Sequence, residues 1–299
     1  EMCIRDSDEI AQLIGSLDED EVEDDDFDLT AALEAAAFVE RGDIWTVGRH
    51  RLVCGDATNA GDIELLMDGK KANLVLTDPP YNVAFESSDG LSIKNDKMSA
   101  DAFYEFLLAA FTQMAGVCEK GASAYVFHAD TEGLNFRRAF QDAGFKLSGC
   151  CIWVKDSLVL GRSPYQWQHE PVLYGWVKTG KHTWYADRKQ TTVWRFDKPR
   201  RNADHPTSKP LDLLAYPIGN STQANAIVLD TFAGSGSTLM ACEATNRIAY
   251  CMELDEKYAS VILRRYADAT GDAAGITCLR DGQQLAYLDV VKAVDRGKK

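Results

Sequence analysis

The sequence predicts an α/β protein with a mostly parallel sheet and helices on both faces. Three observations carry this. Short apolar runs of strand length alternate with longer stretches from about residue 44 to residue 270. Those longer stretches place apolar side chains at helical spacing, as Phe103, Phe106, Leu107, Ala110, Phe111 and Met114 do. A turn containing Gly234 and Gly236 stands where a strand runs into a helix. With 299 residues, 45% of them hydrophobic, the chain can bury one substantial core.

The elements follow in order. Residues 1–40 hold 15 of the 46 acidic residues and one of the 32 basic ones, Arg5. The net charge of −14 therefore belongs to this segment, and residues 41–299 carry 31 charges of each sign. Residues 1–40 read as an acidic, disordered tail or linker, solvated most clearly in the nearly all-carboxylate block from Asp18 to Asp28. A globular domain is expected over residues 41–275. Ile44–Val47 and Arg51–Cys54 form a hairpin across Gly48. Asp62–Met67 reads as a helix, Asn73–Thr77 as a strand, and Ser99 opens a helix that Gly121 is expected to end. Ala124–His128 is a strand, Glu132–Ala143 a helix and Leu147–Val154 a strand. Residues 155–209 break the rhythm. They hold eleven Lys/Arg, five Asp/Glu and eight aromatics, with only Pro171–Val177 resembling an ordinary core strand. From Pro210 the alternation resumes: helix Leu211–Ile218, strand Ala226–Asp230, helix Gly236–Thr245, strand Ile248–Glu253, helix Glu256–Ala269. Residues 276–299 read as a peripheral C-terminal extension.

Several classes are disfavoured. No apolar run approaches the ~20 residues of a membrane span. The eight cysteines contain no Cys-x-x-Cys pair, and the five histidines are scattered. Buried free thiols in a reducing, cytoplasmic compartment fit better than disulfides or a metal site. The first residue is Glu1 rather than Met, which fits a fragment.

Two motifs carry chemistry. The first is Leu229-Asp230-Thr231-Phe232-Ala233-Gly234-Ser235-Gly236, between a strand and a helix. Glycines there let backbone approach a ligand, and the helix start offers free N–H groups. The next strand ends at Glu253, where an acid can accept ribose hydroxyls of a nucleoside cofactor. A plain strand-to-helix turn fits the glycines as well. The second motif is Asp78-Pro79-Pro80-Tyr81, directly after a strand. The prolines remove two donors and extend the backbone. That leaves the Asp78 carboxylate and the Pro79 carbonyl as clustered acceptors beside an aromatic ring. Such a cluster suits an amino group with two N–H donors. A proline turn with a core tyrosine fits these residues equally.

Together these motifs resemble the amino-group DNA methyltransferases, which modify N6 of adenine or N4 of cytosine. The resemblance spans about residues 42–270. It implies a Rossmann-like, S-adenosylmethionine-dependent methyltransferase fold, circularly permuted into the β-class order, catalytic motif before cofactor loop. It implies Asp78, Pro79, Pro80 and Tyr81 as catalytic residues, with no metal. Cys54-Gly55-Asp56-Ala57 resembles the piece that contacts the cofactor adenine, through Asp56. His205-Pro206-Thr207-Ser208-Lys209-Pro210 resembles the segment that contacts its methionine end, through Thr207 and Lys209. Asp230, Phe232, Gly234, Ser235, Gly236 and Glu253 complete the cofactor set. His169-Glu170 resembles a further family motif to which the residues assign no role. The family places target recognition in the 155–209 segment, whose Lys and Arg can neutralise phosphates; Lys198, Arg200 and Arg201 are the strongest candidates for DNA contact.

The expected activity is site-specific methylation of adenine N6 in double-stranded DNA, as in phage or prophage enzymes and restriction–modification systems. Asp at the first tetrapeptide position leans toward adenine. N4-cytosine methylation is the near alternative, and glutamine methylation a more remote one. From another class, a catalytically silent DNA-binding or DNA-mimicking module is the rival. A homodimer and an upstream ParB-like domain, missing from this chain, are further expectations of the resemblance.

Overall fold

The strands form one sheet whose order departs widely from the order of the chain. In the computed structural model the described residues are 22–25, 27–83, 96–160, 164–197 and 208–297. The chain begins with a short helix, α1 (Leu29–Glu34), and a hairpin, β1 (Ile44–Val47) and β2 (His50–Cys54). Then come α2 (Ala60–Met67), β3 (Ala72–Thr77), α3 (Ala100–Val117), β4 (Cys118–Phe127) and α4 (Gly133–Asp142). Three strands follow, β5 (Phe145–Val159), β6 (Trp167–Val177) and β7 (Val193–Arg195). The second half supplies α5 (Leu211–Ser221), β8 (Ile227–Asp230), α6 (Ser237–Ala244), β9 (Ile248–Glu253) and α7 (Glu256–Thr270). It closes with β10 (Ile276–Arg280), β11 (Gln283–Ala286) and α8 (Tyr287–Gly297).

The sheet order is β11-β10-β1-β2-β9-β8-β3-β4-β6-β5-β7. Its centre, β2-β9-β8-β3-β4, is parallel throughout. Antiparallel strands extend both flanks, with β7 parallel to β5 at one edge. Two apolar layers cover the faces, as a doubly covered parallel sheet requires. One holds Trp45, Leu239 and Ile262; the other holds Phe103, Phe111, Phe136 and Phe140. Among the described residues no helix is long and apolar enough to cross a membrane, and the cysteines described there are free.

Four boundaries differ from the sequence expectation. The third helix stops at Val117, and Gly121 lies inside β4 at φ +78. A Cβ on Gly121 would sit 2.0 Å from the Lys181 carbonyl oxygen, so a crossing loop, not a helix end, demands this glycine. The basic aromatic segment is partly sheet: β5, β6 and β7 lie in or border it, and Trp194 is buried. Residues 27–40, expected to be solvated, pack instead, burying Leu29, Leu33, Phe38 and Val39. β10, expected to lie at the periphery, pairs with β1, and Tyr287 of α8 packs edge-on to Trp45 and Phe38.

Candidate active site

The sheet brings the two motifs together although the sequence holds them far apart. β3 and β8 are parallel neighbours, with Leu74 opposite Val228 and Val75 opposite Leu229. Both therefore deliver their following loops to the same edge. The sheet runs outward from β3 to β4 on one side and from β8 to β9 on the other. This reversal of direction is where open α/β sheets form ligand crevices. A hydrogen bond fastens the two strand ends: Thr77 Oγ1 donates to Asp230 Oδ1 at 2.7 Å, and both residues are buried. Asp230 also accepts from Phe232 N at 3.1 Å, which shapes the turn into the glycine loop. Burial pushes the Asp230 carboxyl up to about 6.

The glycine loop and the end of β9 form one wall of a cleft, with Asp56, Asp78, Tyr81 and Lys209 also lining it. Gly234 (φ +53) donates its N–H to Glu253 Oε2 at 2.8 Å. Glu253 Oε1 accepts from Asp255 N at 2.8 Å. Despite these two donors, burial pushes the Glu253 carboxyl up to about 7. Gly236 (φ +86) begins α6, and a Cβ there would meet Ile262 at 3.0 Å. Phe232 lines the cleft and packs edge-on to Phe106. The buried Thr231 Oγ1, also in the cleft wall, has no hydrogen-bond partner in the described structure. An unpaired hydroxyl, backbone free of side chains and a carboxyl at a strand end together fit a nucleoside cofactor. Next to Glu253, past the end of β2, Asp56 Oδ1 accepts from Thr58 N and Oγ1 at 2.9 and 2.8 Å. The N-cap of α2 is Asn59, not Asp56.

Across the cleft lies a compact charged cluster. Lys209 is 6% exposed, and its ammonium sits 2.5 Å from Asp78 Oδ2 and 3.0 Å from Glu170 Oε1. Lys155 Nζ reaches Glu170 Oε2 at 2.8 Å. The Tyr81 hydroxyl contacts Asp78 Oδ1 and lies 2.5 Å from Glu170 Oε1. Antiparallel pairing explains the gathering. Val172 of β6 faces Phe127 at the end of β4, so Glu170, just before it, arrives at the same edge as Asp78. Trp153 of β5 pairs with Glu170, which puts Lys155 in reach. Burial alone would raise the Glu170 carboxyl, but Lys209 and Lys155 hold it down at about 2. Burial raises Asp78 against the pull of Lys209. One phenolic proton cannot serve two carboxylates at once, and of the two acids Asp78 is the one disposed to take a proton.

The fold thus assembles Asp78, Pro79, Pro80, Tyr81, Asp56, Lys209, Asp230, Phe232, Gly234 and Glu253 around one cleft. Ser235 is buried behind it, and Gly236 lies in the turn that begins α6. Lys209, expected at the methionine end of the cofactor, is in direct contact with Asp78. Thr207, Lys198, Arg200 and Arg201 lie outside the described residues. Sequence reasoning gave Glu170 no role and passed over Lys155. The available signal was an acidic residue entering an apolar strand, Pro171-Val172-Leu173, where burial demands a counter-charge.

Residues 72–264 match the family described as DNA methylase, N6_N4_Mtase. The DNA adenine methyltransferase YhdJ of Escherichia coli (strain K12) is 28% identical over 229 residues, which span 66% of this chain and 76% of that protein. The crystal structure of the M1.HpyAVI–SAM complex aligns with a TM-score of 0.53 at 22% identity, over 72% of this chain and 98% of that one. The PvuII DNA methyltransferase, cytosine-N4-specific, aligns with a TM-score of 0.58 at 15% identity, over 83% of this chain and 94% of that one. At such identities the two structures establish the fold, the Rossmann-like fold of S-adenosylmethionine-dependent methyltransferases. With the family match covering well over half its length, the chain belongs to the amino-group DNA methyltransferases, enzymes that draw their methyl group from S-adenosylmethionine.

Proposed function

We propose that the protein methylates the N6 amino group of adenine in double-stranded DNA. The observation that carries this is Asp78, the acid at the first tetrapeptide position, half-buried in the cleft wall with Pro79 and Pro80 beside it. YhdJ, an adenine methyltransferase by name, supports the same base.

S-adenosylmethionine supplies an electrophilic methyl group on a sulfonium. Glu253, Asp56, Phe232 and the glycine loop, which line the cleft, would hold its nucleoside part. The target nitrogen is stacked inside the duplex, so the base is flipped into the cleft before reaction. Asp78 and the Pro79 carbonyl accept the two amino N–H groups and turn the nitrogen lone pair toward the methyl donor. Tyr81, in the cleft wall, offers a face for stacking. Before the amino group binds, both Asp78 oxygens are occupied, by Tyr81 and Lys209. Glu170 already touches both of those groups and keeps them when Asp78 turns to the base. Asp78, its carboxyl raised by burial, then takes the proton that the methylated nitrogen sheds.

Nucleoside mass spectrometry of DNA from an expressing host tests the reading. N6-methyladenine is expected; N4-methylcytosine alone would transfer the assignment to cytosine. Asp78→Ala should reduce turnover by at least about 10³-fold while S-adenosylmethionine still binds. Full activity in that variant removes Asp78 from the mechanism.

A further inference from the structure

The acidic stretch before α1 touches the reverse side of the cofactor loop. Asp25 forms a two-point ion pair with Arg265 of α7, at 2.6 Å to Nε and 2.8 Å to Nη2. The remaining guanidinium nitrogen, Nη1, donates to the Ser235 carbonyl at 3.1 Å and to Ser237 Oγ at 3.1 Å. Arg265 is 4% exposed, and the Phe27 ring lies 5.9 Å from its centre. One residue earlier, Asp24 Oδ1 accepts from Leu211 N at 2.7 Å, at the start of α5 and two residues beyond Lys209. Further along, α1 packs Leu29 and Leu33 against Val261 of α7.

These contacts form a chain of single steps: Asp25 fixes Arg265, Arg265 fixes the backbone and helix start at Ser235–Ser237, and that turn is the loop on which the cofactor rests. The planar fork of arginine allows this, since its Nε–Nη2 edge serves the carboxylate while Nη1 serves the loop. The side chains in the cleft gain nothing from Asp25 directly, because it lies behind the loop. We propose that Asp25 and Arg265 are positioning residues for S-adenosylmethionine, and that the acidic segment is a functional part of the cofactor site rather than a tether. The inference rests on the glycine loop as the cofactor loop. It adds a linkage: if the docked segment orders the loop, the bound cofactor must by the same amount hold the segment in place.

Two measurements on the full chain test this. Asp25→Asn should weaken S-adenosylmethionine binding by about fivefold or more in calorimetric titration. Saturating cofactor should slow hydrogen exchange in residues 22–34 of the unsubstituted protein, and Asp25→Asn should lose that slowing. A purely structural ion pair would lower the melting temperature and leave cofactor affinity within about twofold; that outcome overturns the proposal. So does hydrogen exchange in 22–34 that ignores the cofactor. Glu253→Gln, which acts inside the cleft, separates the failures. If it leaves cofactor affinity unchanged, the loop itself is misassigned, whatever Asp25→Asn shows.

Discussion

Glu253, a buried carboxyl in the proposed cofactor site, would tie cofactor binding to pH. Its environment moves it from an ordinary value of 4.5 to about 7. The folded protein therefore holds a proton here that the unfolded chain has released. This contribution to stability is complete below about pH 4.5 and is lost as pH rises through about 7. Ribose hydroxyls donate to the charged form, so cofactor affinity should change the opposite way and increase between about pH 6 and 8. Titrations across that range check this, and Glu253→Gln should flatten the profile. Glu170 makes the second prediction at this scale. Glu170→Gln keeps the size but frees Lys209 and Tyr81 to stay on Asp78. Turnover should fall about 10²-fold, the pH profile of turnover should shift, and the cofactor dissociation constant should stay within about twofold. A fall in affinity equal to the fall in turnover would count against a positioning role. At this scale the sequence was most informative where chemistry is written in consecutive residues. Asp78-Pro79-Pro80-Tyr81 and Phe232-Ala233-Gly234-Ser235-Gly236 name their own loops. Glu170 and Lys155 stayed silent because their partner arrives by cross-strand pairing, which no local pattern records.

Elements followed the same division. α3 was readable from its apolar stripe and from Ser99, which caps it by accepting from Ala102 N. Its end was not, because Gly121 looked like a helix terminator and serves a distant contact instead. Gly180 shares that contact: a Cβ there would lie 2.7 Å from the Lys120 carbonyl carbon. The two glycines allow the loop after β6 to cross β4 at backbone distance. Gly121→Ala should therefore destabilise the protein by about 2 kcal/mol or more, since neither the positive φ nor the carbonyl can yield easily. Chemical denaturation measures this, and a loss below about 0.5 kcal/mol would show that the loop can move aside.

The molecule as a whole carries a net charge of −14, yet residues 41–299 balance to zero. Attraction to DNA must then come from a local concentration of positive charge, and the segment with Lys198, Arg200 and Arg201 is the proposed source. If each contacts a phosphate, replacing one with alanine should lower the slope of log affinity against log salt by about 1. An unchanged slope for all three would remove them from the DNA interface. The acidic stretch, read from composition as solvent-exposed, is engaged in its described part with α7 and α5. Composition gives the sum of charges; it does not reveal that Arg265 awaits Asp25 across 240 residues.

The hydrogen bond between Thr77 and Asp230 joins residues 153 positions apart. A ribosome adding about 5–20 residues per second needs roughly 8–30 s to cover that interval. For that time β3 has no β8, and its apolar edge stands open to other chains. The enzyme is therefore most prone to aggregate during its own synthesis, and slower synthesis prolongs the exposure. Chaperones that cover the nascent first half should therefore raise the soluble yield.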